Sequence, residues 1–148
     1  MTARTKFNRL PLHIAAKAND STALAALLVD PAVHALINER TTHGHTALFL
    51  AAQMGHANVV QALHEQAQAD LNLPDNGGLA PLHIAARNGH LPVLHTLLSL
   101  GADPSQLDNI QWTPLHWALK NGHDDCTALL KTTVSPDIQA QAFKMWKK

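Results

Sequence analysis

Tyrosine is absent from this chain of 148 residues, and tryptophan and phenylalanine occur only three times each. So few large rings argue against an aromatic core of the sandwich or barrel kind. Cysteine occurs once, at Cys126, so no internal disulfide can form and the fold does not depend on an oxidising compartment. An excess of either charge is missing too. Lys plus Arg equals Asp plus Glu at 11 each, whereas a dedicated nucleic-acid binder usually carries a basic surplus. No run approaches the roughly 20 apolar residues that span a bilayer. No charged segment followed by an apolar run marks the N-terminus as an export signal. The expected setting is cytoplasmic or, for a bacterial source, a host cell reached by a route that reads no N-terminal signal.

Catalytic equipment is equally sparse. The two glutamates, Glu39 and Glu65, pair with no aspartate in the manner of acid–base work. The glycines form no Gly-x-Gly-x-x-Gly or phosphate loop. Cys126 has His123 three residues before it, but no oxyanion device or orienting acid completes a nucleophilic site. The 11 histidines lack a cysteine or carboxylate cluster that would finish a tetrahedral metal site. His43 and His45 alone have a spacing that suits a stray divalent cation. Neither an enzyme, a cofactor nor a resident metal is expected.

What the chain does have is internal self-similarity. Leu10-Pro11-Leu12-His13-Ile14-Ala15-Ala16 returns as Thr46-Ala47-Leu48-Phe49-Leu50-Ala51-Ala52. It returns again as Ala80-Pro81-Leu82-His83-Ile84-Ala85-Ala86 and as Thr113-Pro114-Leu115-His116-Trp117-Ala118-Leu119. The spacings from Pro11 to Ala47, Pro81 and Pro114 are 36, 34 and 33. Gly55-His56, Gly89-His90 and Gly122-His123 follow at a fixed offset, with Asn19-Asp20 in the first unit. Leucine landmarks come later, at Leu27-Leu28, Leu63-His64, Leu97-Leu98 and Leu129-Leu130. The extra residues of the longer spacings fall at Pro31 to Asn38 and near Ala67, where a loop tolerates them.

Each landmark has a physical role. Proline at the first helical position forfeits no hydrogen bond, and threonine before it caps the helix start. Leu-x-x-Ala-Ala puts one bulky and two small residues on one face, which lets a second helix approach closely. Glycine ends the first helix with a left-handed cap. Val59, Val60 and Leu63 then recur at helical spacing in a second helix. Such helix pairs cannot bury their faces alone, but stacked pairs can.

These motifs resemble those of the ankyrin-repeat family, over roughly residues 5–131. The resemblance implies an all-α solenoid of stacked helix–turn–helix units with β-turn fingers. The expected repeats are about 5–38, 39–73, 74–106 and 107–134 of a single domain over 1–148. A Ser135-Pro136-Asp137 start predicts a C-terminal capping helix over about 136–147. Its alternative role is a basic amphipathic tail carrying Phe143, Lys144, Trp146, Lys147 and Lys148. With the helix as a cap, a monomer is expected. Departures from the pattern are Asn8, Leu10 and Asn19-Asp20 in unit one, Phe49 in unit two and Gln111 in unit four. Phe49 makes unit two the interior unit expected to be least regular.

The resemblance also implies a function. In this family the binding surface is built from fingertips and the exposed side of the first helices, and its ligands are proteins. By position, the candidate surface here comprises Arg9, Lys17, Arg40, His43, His45, Gln53, Met54, Asn76, Leu79, Arg87, Asn88, Ile110, Trp112, Lys120 and Asn121. Arg4, Lys6 and Phe7 extend it in unit one. Trp112 has two dispositions: outward, in an apolar patch with Ile110 and Leu79, or folded back on its own finger. The cations among these positions have no acid beside them, so a basic concave face and an acidic or acidic–apolar partner segment are expected. The alternatives are contact with nucleic acid or a membrane surface through the basic residues, or a place within a larger enzyme.

Overall fold

The computed structural model describes residues 10–146, with side chains to Lys144. Arg4, Lys6, Phe7, Arg9, Lys147 and Lys148, and the side chain of Trp146, lie outside the described residues. All regular elements described are helical: α1 (Pro11–Ala18), α2 (Ser21–Leu28), α3 (Pro31–His34), α4 (Ala47–Met54), α5 (Ala57–Ala67), α6 (Pro81–Asn88), α7 (Leu91–Leu100), α8 (Pro114–Lys120), α9 (Asp124–Lys131) and α10 (Pro136–Trp146).

Local chemistry sets these boundaries. Pro11, Pro81 and Pro114 open α1, α6 and α8. Thr46 Oγ1 accepts from Phe49 N at 3.0 Å and caps α4. Gly55 and Gly89 close α4 and α6 in the left-handed region. In unit one Asn19 performs this task at φ 55°, and the Asp20 carboxylate caps α2 by accepting from Ala23 N. The Asn-Asp departure therefore keeps the left-handed cap of the Gly-His corner and replaces the histidine with an aspartate that caps its own helix. The surplus residues after α2 are not all loop. Asp30 accepts from Ala32 N and Pro31 follows at the first helical position, which starts the short α3.

The first helices α1, α4, α6 and α8 pack in series, and α2, α5, α7 and α9 form a second row behind them. Alanines make the close approach possible: Ala16, Ala51, Ala52, Ala85, Ala86 and Ala118 are all fully buried. Between the rows lie Leu48, Leu82 and Leu115 from one side and Leu63, Leu94, Leu97 and Leu130 from the other. Each buried leucine contributes about 2 kcal/mol through removal from water. The α10 helix packs on α8 as the next member of the first row, with Ala142 at its contact. Gln139 Nε2 donates to Lys131 O at 2.7 Å and fixes its entry.

Phe49 leaves no gap. It is 1 % exposed and stacks on His45 with centroids 4.5 Å apart. The turn before it is closed by Thr41, whose Oγ1 accepts from His45 N. The Cys126 thiol, carried by α9, faces the hydrophobic core, and burial, aided by Asp125, pushes it up to about 11. Native protein should therefore ignore a thiol reagent such as dithionitrobenzoate at neutral pH and release one equivalent only on unfolding. Rapid labelling of the folded chain would contradict this burial.

Candidate partner-binding face

Two ladders hold successive units in register and so position the concave face. At the helix corners, His56, His90 and His123 each place Nε2 against a carbonyl of the preceding unit: Lys17 O, Gln53 O and Arg87 O, at 3.0–3.1 Å. Asn88 Nδ2 adds a bond to Gln53 O, and Asn121 Nδ2 one to Arg87 O. At the finger bases, His83 Nδ1 accepts from Ala80 N, which leaves its Nε2–H to donate to Trp112 O of the next finger at 2.9 Å. His13 Nδ1 likewise accepts from Leu10 N, and its Nε2 bonds Glu39 O, just before the next finger.

The described fingers are tight turns over residues 41–45, 75–79 and 108–112. Asp75 Oδ1 accepts from Gly77 N and Leu79 N, and Asp108 Oδ1 accepts from Ile110 N and Trp112 N. The other Asp108 oxygen, Oδ2, accepts from Trp117 Nε1 at 2.8 Å. Asp75 also lies 3.5 Å from His45 Nε2. The sequence leads to the expectation of a face without acids, and the structure corrects it. Two carboxylates stand at the finger bases, largely consumed by backbone amides.

The candidate residues fall into two groups. Lys17, Gln53, Met54, Arg87, Asn88, Lys120 and Asn121 occupy the last turns of the first helices or their caps, in a row across the solenoid. Arg40, His43, His45, Asn76, Leu79, Ile110 and Trp112 lie on or beside the fingers. The amides of Asn88, Asn121 and Asn76 donate to the neighbouring unit, the last to Thr42 O. Arg40 Nε turns back to Gly44 O at 3.3 Å. The apolar patch expected from Leu79, Ile110 and Trp112 does not assemble. Leu79 packs on the core, the Trp112 ring lies back over α8, and Ile110 alone projects at 57 % exposure.

A different cluster takes its place. Trp112 and Trp117 meet edge to face with centroids 4.8 Å apart. Lys120 Nζ lies 5.1 Å from the Trp112 ring and 5.6 Å from that of Trp117, and Arg87 Cζ lies 5.3 Å from Trp117. Both cations are exposed and neither makes an ion pair with a described residue. Donors from Asn121 and His123 converge on Arg87 O and fix that residue's backbone. The sequence reading missed Trp117 because it occupies the slot of Ile14, Leu50 and Ile84, which reads as core.

Burial holds His83 and His116 below the ordinary imidazole value of 6.5, although Asp108 opposes the shift in both. Unfolded chains bind protons near that pH that the folded chain refuses. Their contribution to stability is therefore full above about pH 6.5 and declines as pH falls toward the folded values. The melting temperature should drop between about pH 7.5 and about pH 5, with a shallower slope for His83→Gln. Equal slopes for the two proteins would contradict the neutral, buried state of His83.

Among the described residues, no group of three or more His, Cys, Asp or Glu side chains is arranged to hold a metal ion. No described helix is long and apolar enough to cross a membrane.

Comparison with known proteins agrees with this architecture. The family model described as ankyrin repeats (3 copies) matches residues 12–108 and 68–142. Mouse ankyrin repeat domain-containing protein SOWAHD is 35% identical over 101 residues, covering 64% of this chain and 30% of that protein. The ankyrin repeat-containing protein ITN1 of Arabidopsis thaliana is 32% identical over 121 residues, covering 68% of this chain and 20% of its own length. Human transient receptor potential cation channel subfamily A member 1 is 35% identical over 96 residues, covering 65% of this chain and 8% of the channel subunit. The matches thus span less than a third of each of these relatives. With repeat motifs in register, stacked helix pairs and a family match over most of its length, the chain belongs to the ankyrin-repeat family.

Proposed function

We propose that this chain is a non-catalytic binding module that takes an acidic or acidic–apolar segment of another protein on its concave face. The observation that carries this reading is the cluster of Arg87, Trp112, Trp117 and Lys120. Its two cations rest on indole faces, not against carboxylates. A cation held this way keeps its charge available, and its partial dehydration over the ring strengthens the attraction for an incoming carboxylate. Tryptophan and arginine are also the side chains whose truncation most often costs about 2 kcal/mol or more at an interface. The indoles supply apolar area beside the charges, which suits a segment alternating acidic and apolar residues.

The test is affinity capture from cell lysate with mass spectrometry, comparing wild type with an Arg87→Glu, Lys120→Glu variant verified as folded by circular dichroism. Both side chains are exposed, so the fold should tolerate the change. Proteins retained by wild type and lost with the variant support this site. Equal retention by both would overturn it.

A further inference from the structure

We infer that the partner segment is an α-helix lying across the first helices, with an acidic, an apolar and two further acidic residues at seven-residue spacing. This deepens the proposed protein-binding reading and rests on it.

The row that reads such a helix has one member in each unit. Lys17, Gln53, Arg87 and Lys120 occupy the same place, six residues past the first residue of α1, α4, α6 and α8. Three are cations, and none of these makes an ion pair with a described residue. Unit two breaks the run of charge. It has the neutral Gln53, and beside it Met54 is 45 % exposed. In the place of Met54, units three and four carry Asn88 and Asn121, whose amides turn back to the preceding unit. Along the stack the face therefore presents cation, thioether, cation, cation. Indole rings lie beside the last two cations. Charge complementarity calls for acid, apolar, acid, acid on the occupant.

The pitch of the row selects a helix. Neighbouring first helices pack in series, with axes about 10 Å apart. An α-helix returns to nearly the same face every seven residues, after about 10.5 Å. Three such steps span about 32 Å, against about 30 Å for the row, and the long lysine and arginine stems absorb the difference. A β-strand returns to one face every two residues, about 6.7 Å, and falls out of step at the first unit. A polyproline segment returns every three residues, at about 9.3 Å, but its backbone makes no internal bonds. The row has little to offer that backbone. Lys17 O, Gln53 O and Arg87 O already accept from His56, His90 and His123. The amides of Asn88 and Asn121 and the Trp117 N–H are already committed as donors. A helix satisfies its own backbone and needs only the side chains that the row leaves open.

The test titrates fluorescein-labelled alanine–glutamine peptides of about 24 residues against the full chain by fluorescence polarisation. One pair carries Glu, Leu, Glu and Glu at seven-residue spacing, in the two chain directions. A control has the same composition at five-residue spacing, which puts the acids on different faces of the helix, and should bind about tenfold more weakly. A proline midway between the leucine and the next glutamate breaks a helix but not a polyproline segment, and should also cost about tenfold. Lys17→Glu should weaken the seven-residue peptide about tenfold, and lysine in place of the lone glutamate beyond the leucine should restore binding to this variant. Equal binding at both spacings, tolerance of the proline or indifference to Lys17→Glu would overturn the helix. No binding by any peptide would overturn it too. A peptide lost with Arg87→Glu, Lys120→Glu but indifferent to spacing, proline and Lys17→Glu would overturn the helix while leaving the concave-face reading in place.

Discussion

Replacing Gly78 with alanine is expected to lower the melting temperature by about 10 °C. Gly78 has φ +79°, a conformation that costs an L-residue about 1 kcal/mol or more. The added Cβ would also meet the Asn109 side chain and, at 2.7 Å, the Asn109 backbone nitrogen. That nitrogen cannot retreat cheaply, because it donates to Gly77 O and locks two fingers together. Strain and contact together come to about 3 kcal/mol, and a chain of this size loses about 3 °C for each kcal/mol. Gly122→Ala separates the two causes. Gly122 has φ +71° but open space around its virtual Cβ, so it should suffer the conformational cost alone. Thermal unfolding followed by circular dichroism measures both variants. Equal losses would show that the inter-finger contact contributes nothing.

The same contact explains what could be read in the sequence. Pro11, Pro81 and Pro114, with leucine and paired alanines behind most of them, are local signals, and each sits where its helix requires. The solenoid was legible because its interfaces repeat the same short-range chemistry. The candidate face was less legible because it depends on contacts across units. Leu79 looked outward by its place beside the turn, yet it packs on the core. Asn76, Asn88 and Asn121 looked like surface recognition groups, yet their amides join units more than 30 residues apart in sequence. The Asp30-Pro31 pair was a legible helix start that the reading of a loop passed over. Trp117 carried a weaker signal. An aromatic at a position where three other units hold Ile or Leu is too large for the same slot, and its indole N–H needs an acceptor. That acceptor, Asp108, lies nine residues earlier and had no visible role in the sequence.

Asp108 joins the finger ladder to the aromatic cluster, so its substitution should affect both stability and recognition. Asp108→Ala removes the acceptor of Ile110 N, Trp112 N and Trp117 Nε1 at a site that is 4 % exposed. Some of these donors will find water, so the net loss is about 3 kcal/mol, not the full sum for three charge-assisted bonds. Asp108→Asn divides the effect. Its amide oxygen can still accept from the two finger amides, but its NH2 group then opposes the Trp117 N–H, donor against donor. The finger should survive with a loss of about 1–2 kcal/mol, while Trp117 is released from its anchor. Thermal melts should therefore rank wild type above Asn, and Asn above Ala. Partner affinity should fall about equally in both, because Arg87 and Lys120 would have lost the same platform. A solvent shift in tryptophan emission, absent from the same variants built on Trp117→Phe, reports that release independently of any partner. If the two variants melted alike and left the emission unchanged, Asp108 would be no more than a turn residue. The cluster would then owe its geometry to the packing of Trp112 against Trp117 alone.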